Sequence, residues 1–355
     1  MTNDIYRRLQ QRLDRYSIGF PATESGIELK ILKKLFSPED AAMFLSMTQK
    51  LETAGQIAQR TERPTAEVAA QLEDMTERGL LFRLKRGGAV KYGAIPFVHG
   101  LFEFQVKNLD RDLAEMMDQY HEEGFSRTFE TIGGTFLRTV PVEKSIEVTH
   151  QVAAYDDAVK ILKETELIVV ADCICRKKME VLGKGCGKRM EACFLFGSMG
   201  QYYIDKGMGR RVGVDEAIAI LREAQDSGLV TQPATAQNPG GMCNCCGDCC
   251  GVLISIKQHP RPAEIVYSNY FAAVDRELCT GCETCLDRCQ MGAIIIDDDN
   301  LAVIDRDRCI GCGLCVITCP TEALKLTPKP AGEQKTPPVS TLEQMQTMAK
   351  NRGLS

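Results

Sequence analysis

The chain has 355 residues, of which 44% are hydrophobic and 26% are charged, and its formal net charge is −5. The length allows two or three domains, and the composition is that of a soluble globular protein. No stretch approaches the ~20 apolar residues of a membrane-spanning helix, and the first residues lack the apolar core of a secretory signal. We therefore expect a cytoplasmic protein, and the negative charge argues against nucleic acid as its main partner.

Residues 1–95 predict short helices followed by a β-hairpin. Ser37 and Pro38 are typical of a helix start, and the run Thr65–Glu77 carries apolar residues at helical spacing. Residues 80–92 contain two short apolar-rich runs around a glycine pair, which predicts a hairpin. This order of elements resembles the winged-helix fold.

A winged helix usually binds DNA through its third helix. The corresponding helix here begins at Thr65 and carries four acidic residues, with Arg78 as its one basic residue. Contact with phosphates needs Lys and Arg, so we do not expect nucleic acid as a partner. We interpret the winged-helix-like region as a protein-docking or dimerisation element, which would make the chain an oligomer.

Residues 96–171 predict a mostly helical connecting region that ends in a short buried strand at 167–171. Asp110 is suited to cap one of its helices, and a second helix is expected around 154–164. At the end of the chain, residues 329–355 predict a proline-containing linker and a short tail helix.

Residues 172–268 predict a cysteine-rich domain of mixed structure. One helix is clear from its apolar stripe, and Asp215 is suited to cap it and Gly228 to end it. The fold class expected for the whole chain is α+β, with several domains.

All 17 cysteines lie between Cys173 and Cys319. Their odd number, and the lack of a secretory signal, argue against a disulfide framework. Clustered thiols in a reducing compartment are better interpreted as metal ligands, and soft thiolates select zinc, copper(I) or iron–sulfur clusters.

Residues 269–328 contain a duplicated cysteine motif. The pattern C-x2-C-x2-C-x3-C begins at Cys279 and again at Cys309, 30 residues later. Zinc sites usually pair two CxxC hooks or mix cysteine with histidine, and this pattern does neither. The motif resembles that of bacterial dicluster ferredoxins, which implies a ferredoxin-like fold and two 4Fe–4S clusters.

The resemblance also implies which cysteines bind each cluster, because the fourth cysteine of each motif ligates the other cluster. The first cluster would be held by Cys279, Cys282, Cys285 and Cys319. The second would be held by Cys309, Cys312, Cys315 and Cys289. Gln290 departs from the family pattern, which usually has proline there, but it is not a ligand and does not change these two sets.

Nine further cysteines lie in two segments of the middle domain: Cys173, Cys175, Cys186, Cys193, Cys243, Cys245, Cys246, Cys249 and Cys250. Their C-x-C and C-C pairs cannot wrap a cubane as C-x2-C-x2-C does, so any site must combine distant segments. Basic residues around the first segment favour thiolates. A further iron–sulfur cluster, a zinc site and a set of reactive thiols all remain open, and nine cysteines could serve two sites.

The sequence offers no convincing catalytic residue. It shows no nucleophile–base pair and no flavin or nicotinamide fingerprint. The four histidines are isolated, and we interpret them as ordinary surface or core residues: His99, His121, His150 and His259. Whether the chain is an enzyme or an electron carrier is therefore left open.

We predict an iron–sulfur electron-transfer protein, or a subunit of one, that relays single electrons in an anaerobic redox system. Acidic residues outnumber basic ones at 270–328, so the expected partners are redox proteins with basic docking surfaces. One alternative is a redox- or metal-sensing regulator whose output is the winged helix. Another is an oxidoreductase whose substrate binds at the cysteine-rich site.

Overall fold

The computed structural model describes residues 2–48, 50–131, 136–145 and 156–353. His150 and the first residues of the helix expected around 154–164 lie outside these ranges. None of the described helices is long and apolar enough to cross a membrane.

Five helices and a hairpin form the N-terminal region. The helices are α1 (Thr2–Asp14), α2 (Ile27–Leu35), α3 (Pro38–Ser46), α4 (Ala54–Thr61) and α5 (Thr65–Glu77). The strands β1 (Phe82–Arg86) and β2 (Ala89–Gly93) pair antiparallel, which confirms the predicted hairpin. Ser37 caps α3 in a reciprocal arrangement with Asp40, as expected from the sequence. Glu52 pairs with Tyr92 as a short third segment beside the hairpin, while the winged-helix assignment stays a prediction.

Three helices lead from the hairpin into the middle of the chain: α6 (Arg111–Tyr120), α7 (Ser126–Thr131) and α8 (Ala158–Glu164). The side chain of Asp110 accepts a hydrogen bond from the Leu113 amide at the start of α6, as predicted. The segment 97–105 turns between β2 and α6, with non-helical backbone angles at Val98, His99 and Gly100 and a short 3-10 turn at Glu103–Gln105.

A five-stranded antiparallel sheet forms the centre of the middle domain, and its first strand begins before the boundary expected at residue 172. Its strands are β3 (Ile168–Asp172), β4 (Glu191–Phe196), β5 (Gly209–Val212), β6 (Val230–Pro233) and β7 (Gly241–Cys245), in the order β5-β3-β4-β7-β6. Its helices are α9 (Ile174–Val181), α10 (Gly197–Asp205), α11 (Val214–Asp226), α12 (Gly251–Gln258) and α13 (Pro262–Ile265).

The middle domain therefore holds more regular structure than the single helix recognised in the sequence. That helix is α11, and its N-cap is Gly213 rather than Asp215, which lies in the first turn. An acidic side chain in the first turn still interacts favourably with the positive end of the helix dipole. Gly228 follows the helix with φ +84°, as expected for a glycine that ends a helix.

The two faces of the sheet have different environments. Helices α8 and α11 cover one face, where Phe194 and Met242 are buried in an apolar core. Successive side chains of a strand point to opposite faces, so Cys193 and Cys243 lie on the other face. Helix α10 and the turns at 97–105 cover that second face, and they enclose a cavity there.

The C-terminal part consists of two similar halves. Its elements are β8 (Tyr270–Val274), α14 (Thr284–Arg288), β9 (Ile294–Ile296), β10 (Ala302–Ile304), β11 (Leu324–Pro328) and the tail helix α15 (Thr341–Asn351). Strand β8 pairs with β11, and β9 pairs with β10. The amide of Asp275 donates to the carbonyl of Ala323 at 2.7 Å, and the amide of Asp305 donates to that of Ala293 at 2.8 Å. The 30-residue repeat of the sequence is thus also a repeat of backbone structure.

Candidate metal centres

The two cysteine motifs of the C-terminal part begin with the same turn. The amides of Cys279 and Cys309 donate to the carbonyls of Asp275 and Asp305 at 3.1 and 3.0 Å. The two halves therefore present their first thiols in the same way, as a duplicated cluster-binding fold requires.

The fourth cysteine of each motif lies with the thiols of the other motif. The charge of Cys319, like those of Cys279 and Cys282, acts on Cys285, whose pKa is raised mainly by burial. Cys289 acts in the same way on Cys309 and on Cys312, and burial raises the pKa of Cys312 to about 12. One small cavity is lined by all four cysteines of the second set: Cys289, Cys309, Cys312 and Cys315. This grouping agrees with the crossed ligand sets, which remain a prediction.

The two sets differ in their surroundings. Cys282 of the first set is exposed. The second set faces the rest of the chain, and the carbonyl of Cys312 accepts a hydrogen bond from the amide of Val142, in the connecting region, at 2.9 Å. The first set is therefore the one closer to solvent.

Gln290 joins the second set to the middle domain. Its Oε1 accepts a hydrogen bond from the amide of Gly247 at 2.7 Å, and its Nε2 donates to the carbonyl of Gly228 at 3.2 Å. Gly247 lies between Cys246 and Cys249. Gln290, which replaces the usual proline and is not a predicted ligand, therefore forms a contact between the dicluster domain and the middle domain.

Six of the nine middle-domain cysteines form a closed ring of thiols, which we call the six-thiol ring. Each thiol acts on the pKa of the next through a side-chain interaction, in the order Cys173, Cys175, Cys250, Cys245, Cys243, Cys193 and back to Cys173. The two cysteine segments, 50 residues or more apart in sequence, thus meet at one place, as the C-x-C and C-C spacings require.

Four elements build the six-thiol ring. Cys173 and Cys175 lie at the start of α9, and Cys250 is the residue before α12. Cys193 belongs to β4, and Cys243 and Cys245 belong to β7. Cys193 and Cys243 are direct antiparallel partners, so their side chains lie side by side on one face.

Positive groups surround the ring. Arg176 is 2% exposed, and its Nη1 donates to the carbonyl of Asn244 at 2.9 Å. Burial opposes the charge of Arg176, but the nearby thiolates of Cys173, Cys193 and Cys245 raise its pKa overall. Such a cation favours ionised thiols.

His99 also lies beside the ring and interacts with Cys243, which lines the same cavity. Burial alone would lower its pKa, but this contact and the charge of Glu103 raise it to about 9. The interpretation of His99 as an ordinary residue therefore misses its place beside the thiols. No local pattern marks it, because 144 residues separate it from Cys243.

The other three middle-domain cysteines form a separate group, which we call the triad. The ligand atoms of Cys186, Cys246 and Cys249 all lie within 4.8 Å of one another, and the first two sulfurs are 3.6 Å apart. Zn–S bonds of about 2.3 Å in a tetrahedron place sulfurs roughly 3.8 Å apart. The triad therefore has the spacing of a site for a single soft metal ion.

Comparison with known proteins identifies part of the chain. Residues 272–326 match the family model described as a 4Fe-4S dicluster domain. Neither a search of curated proteins nor a search of solved structures finds a match to the chain. The chain thus carries a 4Fe–4S dicluster domain near its C-terminus, and the donor set there, thiols alone, suits iron–sulfur clusters.

Proposed function

We propose that this protein relays single electrons between an external redox partner and a metal centre of its middle domain, through two ferredoxin-type 4Fe–4S clusters. The contact of Gln290 with Gly247 supports the proposal, because Gln290 follows Cys289 and Gly247 lies between Cys246 and Cys249. A free-standing ferredoxin would need no such contact.

The proposed relay has a direction in space. Cys282 is exposed, so the first cluster meets the partner. The second cluster lies between the first cluster and the middle domain, and Cys246 and Cys249 flank the glycine that Gln290 contacts. An electron entering near Cys282 thus passes through the two clusters in series.

The surface around the first cluster is less acidic than the sequence suggests. Arg276 pairs with two of the three consecutive acids in the β9–β10 turn, Asp297 at 2.6 Å and Asp299 at 2.8 Å. A partner steered by charge would meet the exposed acids nearer the cluster, Glu283 and Asp287. We propose a partner with a basic surface that fits this side.

The first test of the proposal is metal content and crossed ligation. Anaerobically purified protein should contain about eight iron and eight inorganic sulfide atoms from the dicluster domain, with more iron if the middle domain adds a cluster. Cys289→Ala should remove the EPR signal of the second cluster, and the matched Cys319→Ala should remove that of the first.

The relay would be contradicted by fewer than eight iron atoms in the fully loaded wild-type protein. It would also be contradicted if the reduced dicluster domain passed no electrons to the middle domain in a freeze-quench EPR time course. The crossed ligand sets would be wrong if the Cys289 and Cys319 variants each lost the opposite signal.

A second candidate function is an oxidoreductase with its substrate at the cysteine-rich site. A cavity of about 220 Å³ beside the six-thiol ring favours it, since Phe97, Phe125 and Phe136 supply apolar walls and His99 a polar group. Screening small electron acceptors for turnover by the reduced protein tests this function. Turnover that falls in His99→Ala, with both ferredoxin signals unchanged, would support it over a pure relay.

The regulator alternative has less support. Glu77 of α5 pairs with Lys206 at 2.5 Å, and Glu73 pairs with Arg83. The hydroxyl of Tyr202 in α10 donates to the carbonyl of Leu81 at 3.0 Å. The contact of Glu77 with the middle domain of its own chain is an argument against the use of this end of α5 to dock on DNA.

A further inference from the structure

The six-thiol ring is too wide to bind a single metal ion. Within the part of the chain that the structure describes, the triad alone has three ligand atoms within 4.8 Å of one another. A tetrahedral zinc ion would need all four of its sulfurs roughly 3.8 Å apart. Neighbouring thiols of the ring interact, but no three of them meet this limit.

The dicluster domain offers an internal comparison. Its eight cysteines carry the motif of a cubane site, and among the described residues none of them belongs to a three-ligand group within 4.8 Å either. Neither the ring nor the dicluster domain brings three thiols within the distance that a single ion needs. The close spacing of the triad is the exception.

The volume of the cavity beside the ring is also larger than the volume of a single metal ion. All six ring cysteines line the cavity of about 220 Å³. A water molecule takes about 30 Å³ in the liquid, so a cavity of this size has room for roughly seven waters. A group of several metal and sulfide atoms fits such a space.

Hydrogen-bond donors without partners are placed at the ring. Nε and Nη2 of Arg176 are buried and find no hydrogen-bond partner among the described residues. Gln232 is fully buried and pairs with Cys243 across β6 and β7, so its side chain lies on the face of the ring thiols. Its amide nitrogen likewise lacks a partner within the described ranges. Buried donors of this kind need an acceptor, and the sulfides of an iron–sulfur cluster are acceptors.

The charge at the ring suits an anionic group. Helices α9 and α12, of eight residues each, both begin at ring cysteines, so two positive helix ends converge there. Arg176 adds a full positive charge. A cluster with several thiolate ligands carries negative charge that these groups would stabilise.

We propose that the six-thiol ring binds one polynuclear iron–sulfur cluster, and that the triad is a separate site for a single soft metal ion. This inference rests on the proposed relay, since it names the metal centre that receives electrons from the second ferredoxin cluster. The charge of Arg176 interacts with Cys245 of the ring and with Cys246 of the triad, so the two sites share one buried cation.

The test compares Cys243→Ala in the ring with Cys186→Ala in the triad, both in the full chain purified anaerobically. Metal analysis and Mössbauer spectroscopy should find more than eight iron atoms in the wild type. We expect Cys243→Ala to fall to about eight, with both ferredoxin EPR signals intact. Cys186→Ala should keep the additional iron and lose a different metal, such as zinc.

Two results would overturn the proposal: a wild type with eight iron atoms and no more, or loss of the same iron in both variants. If the ferredoxin EPR signals are intact in either case, the two ferredoxin clusters of the relay are still present. Failure of the ring proposal can then be told apart from failure of the proposed relay.

Arg176→Gln keeps all nine thiols and therefore gives a readout that does not depend on a missing ligand. Loss of a positive charge should shift the midpoint potential of the middle-domain cluster to more negative values and leave the ferredoxin potentials unchanged. A middle-domain potential that stays the same would contradict a cluster at the ring.

Discussion

Two glycines show how closely the backbone approaches the cluster-binding loops. Gly281 and Gly311 occupy equivalent positions in the two halves, and both have φ +66°. A Cβ at Gly281 would overlap the carbonyl of Asn300, and one at Gly311 would overlap that of Tyr270. Each position thus requires glycine for two reasons: the backbone has a positive φ, and there is no room for a side chain.

We expect Gly311→Ala to destabilise the loaded protein more than Gly292→Ala does. Gly292 has a similar φ of +61°, but a methyl group there would meet no atom of the described residues within 4 Å, its chain neighbours aside. Strain alone should cost about 1 kcal/mol at Gly292, and the overlap at Gly311 should add about 1–3 kcal/mol. Chemical unfolding followed through cluster absorbance measures the unfolding free energy of both variants. Equal decreases would show that the structure relieves the overlap at Gly311 without a loss of stability.

At the scale of elements, an ion pair joins the helical region to the cysteine-rich domain. Lys178 of α9 is 7% exposed in its side chain and donates to Asp118 of α6 at 2.5 Å. Burial would raise the pKa of Asp118, but the hydrogen bonds and charges of Lys178 and Lys184 lower it overall. The pair thus holds α6 against the helix that carries two ring cysteines.

Asp118→Asn should destabilise the protein by about 2 kcal/mol, because it leaves the buried Lys178 without its counterion. Lys184→Ala is the control, since this exposed partner should contribute less than about 1 kcal/mol. The folded pKa of Asp118 is depressed, so its contribution should be present above the unfolded value of about 3.9 and lost as pH falls through the folded value. A pH titration of unfolding free energy in which wild type and Asp118→Asn stay parallel through this range would contradict the assignment.

The elements that the sequence predicts well are those with local signals. Caps, apolar spacing and a glycine pair predict helices α3, α5 and α6 and the β1–β2 hairpin, and all of them are present. Of the central sheet, the sequence predicts only β3. Strands β6 and β7 contain residues such as Pro233 and Asn244 that are poor strand formers, and their pairing is set by contacts across the domain.

At the scale of the whole molecule, the same distinction separates the two kinds of cysteine site. The eight ferredoxin cysteines lie within one short repeated segment, so their spacing alone predicts the chemistry. The nine others come from two segments that the sheet brings together, and spacing could not divide them into six and three. Register across β4 and β7, which no local pattern encodes, places Cys193 beside Cys243.

Gln290 offers a test of how the domains work together. Gln290→Pro restores the usual ferredoxin residue and removes two hydrogen bonds to the middle domain, a loss of about 1–3 kcal/mol in docking. Both ferredoxin clusters should remain, while electron transfer from them to the middle-domain centre slows several-fold in freeze-quench EPR. Pro320→Gln changes the equivalent, exposed position of the other half and should leave the rate unchanged. Equal rates in the wild type and Gln290→Pro would show that the contact does not support the relay.

The contact of Gln290 also gives a nearly symmetric repeat two different ends. The two halves share a turn, a glycine conformation and a cysteine spacing. Pro320 lies exposed after the last cysteine of one half, whereas Gln290, at the same position of the other half, binds the middle domain. One side chain thus distinguishes the end that faces water from the end that faces the protein's own chain.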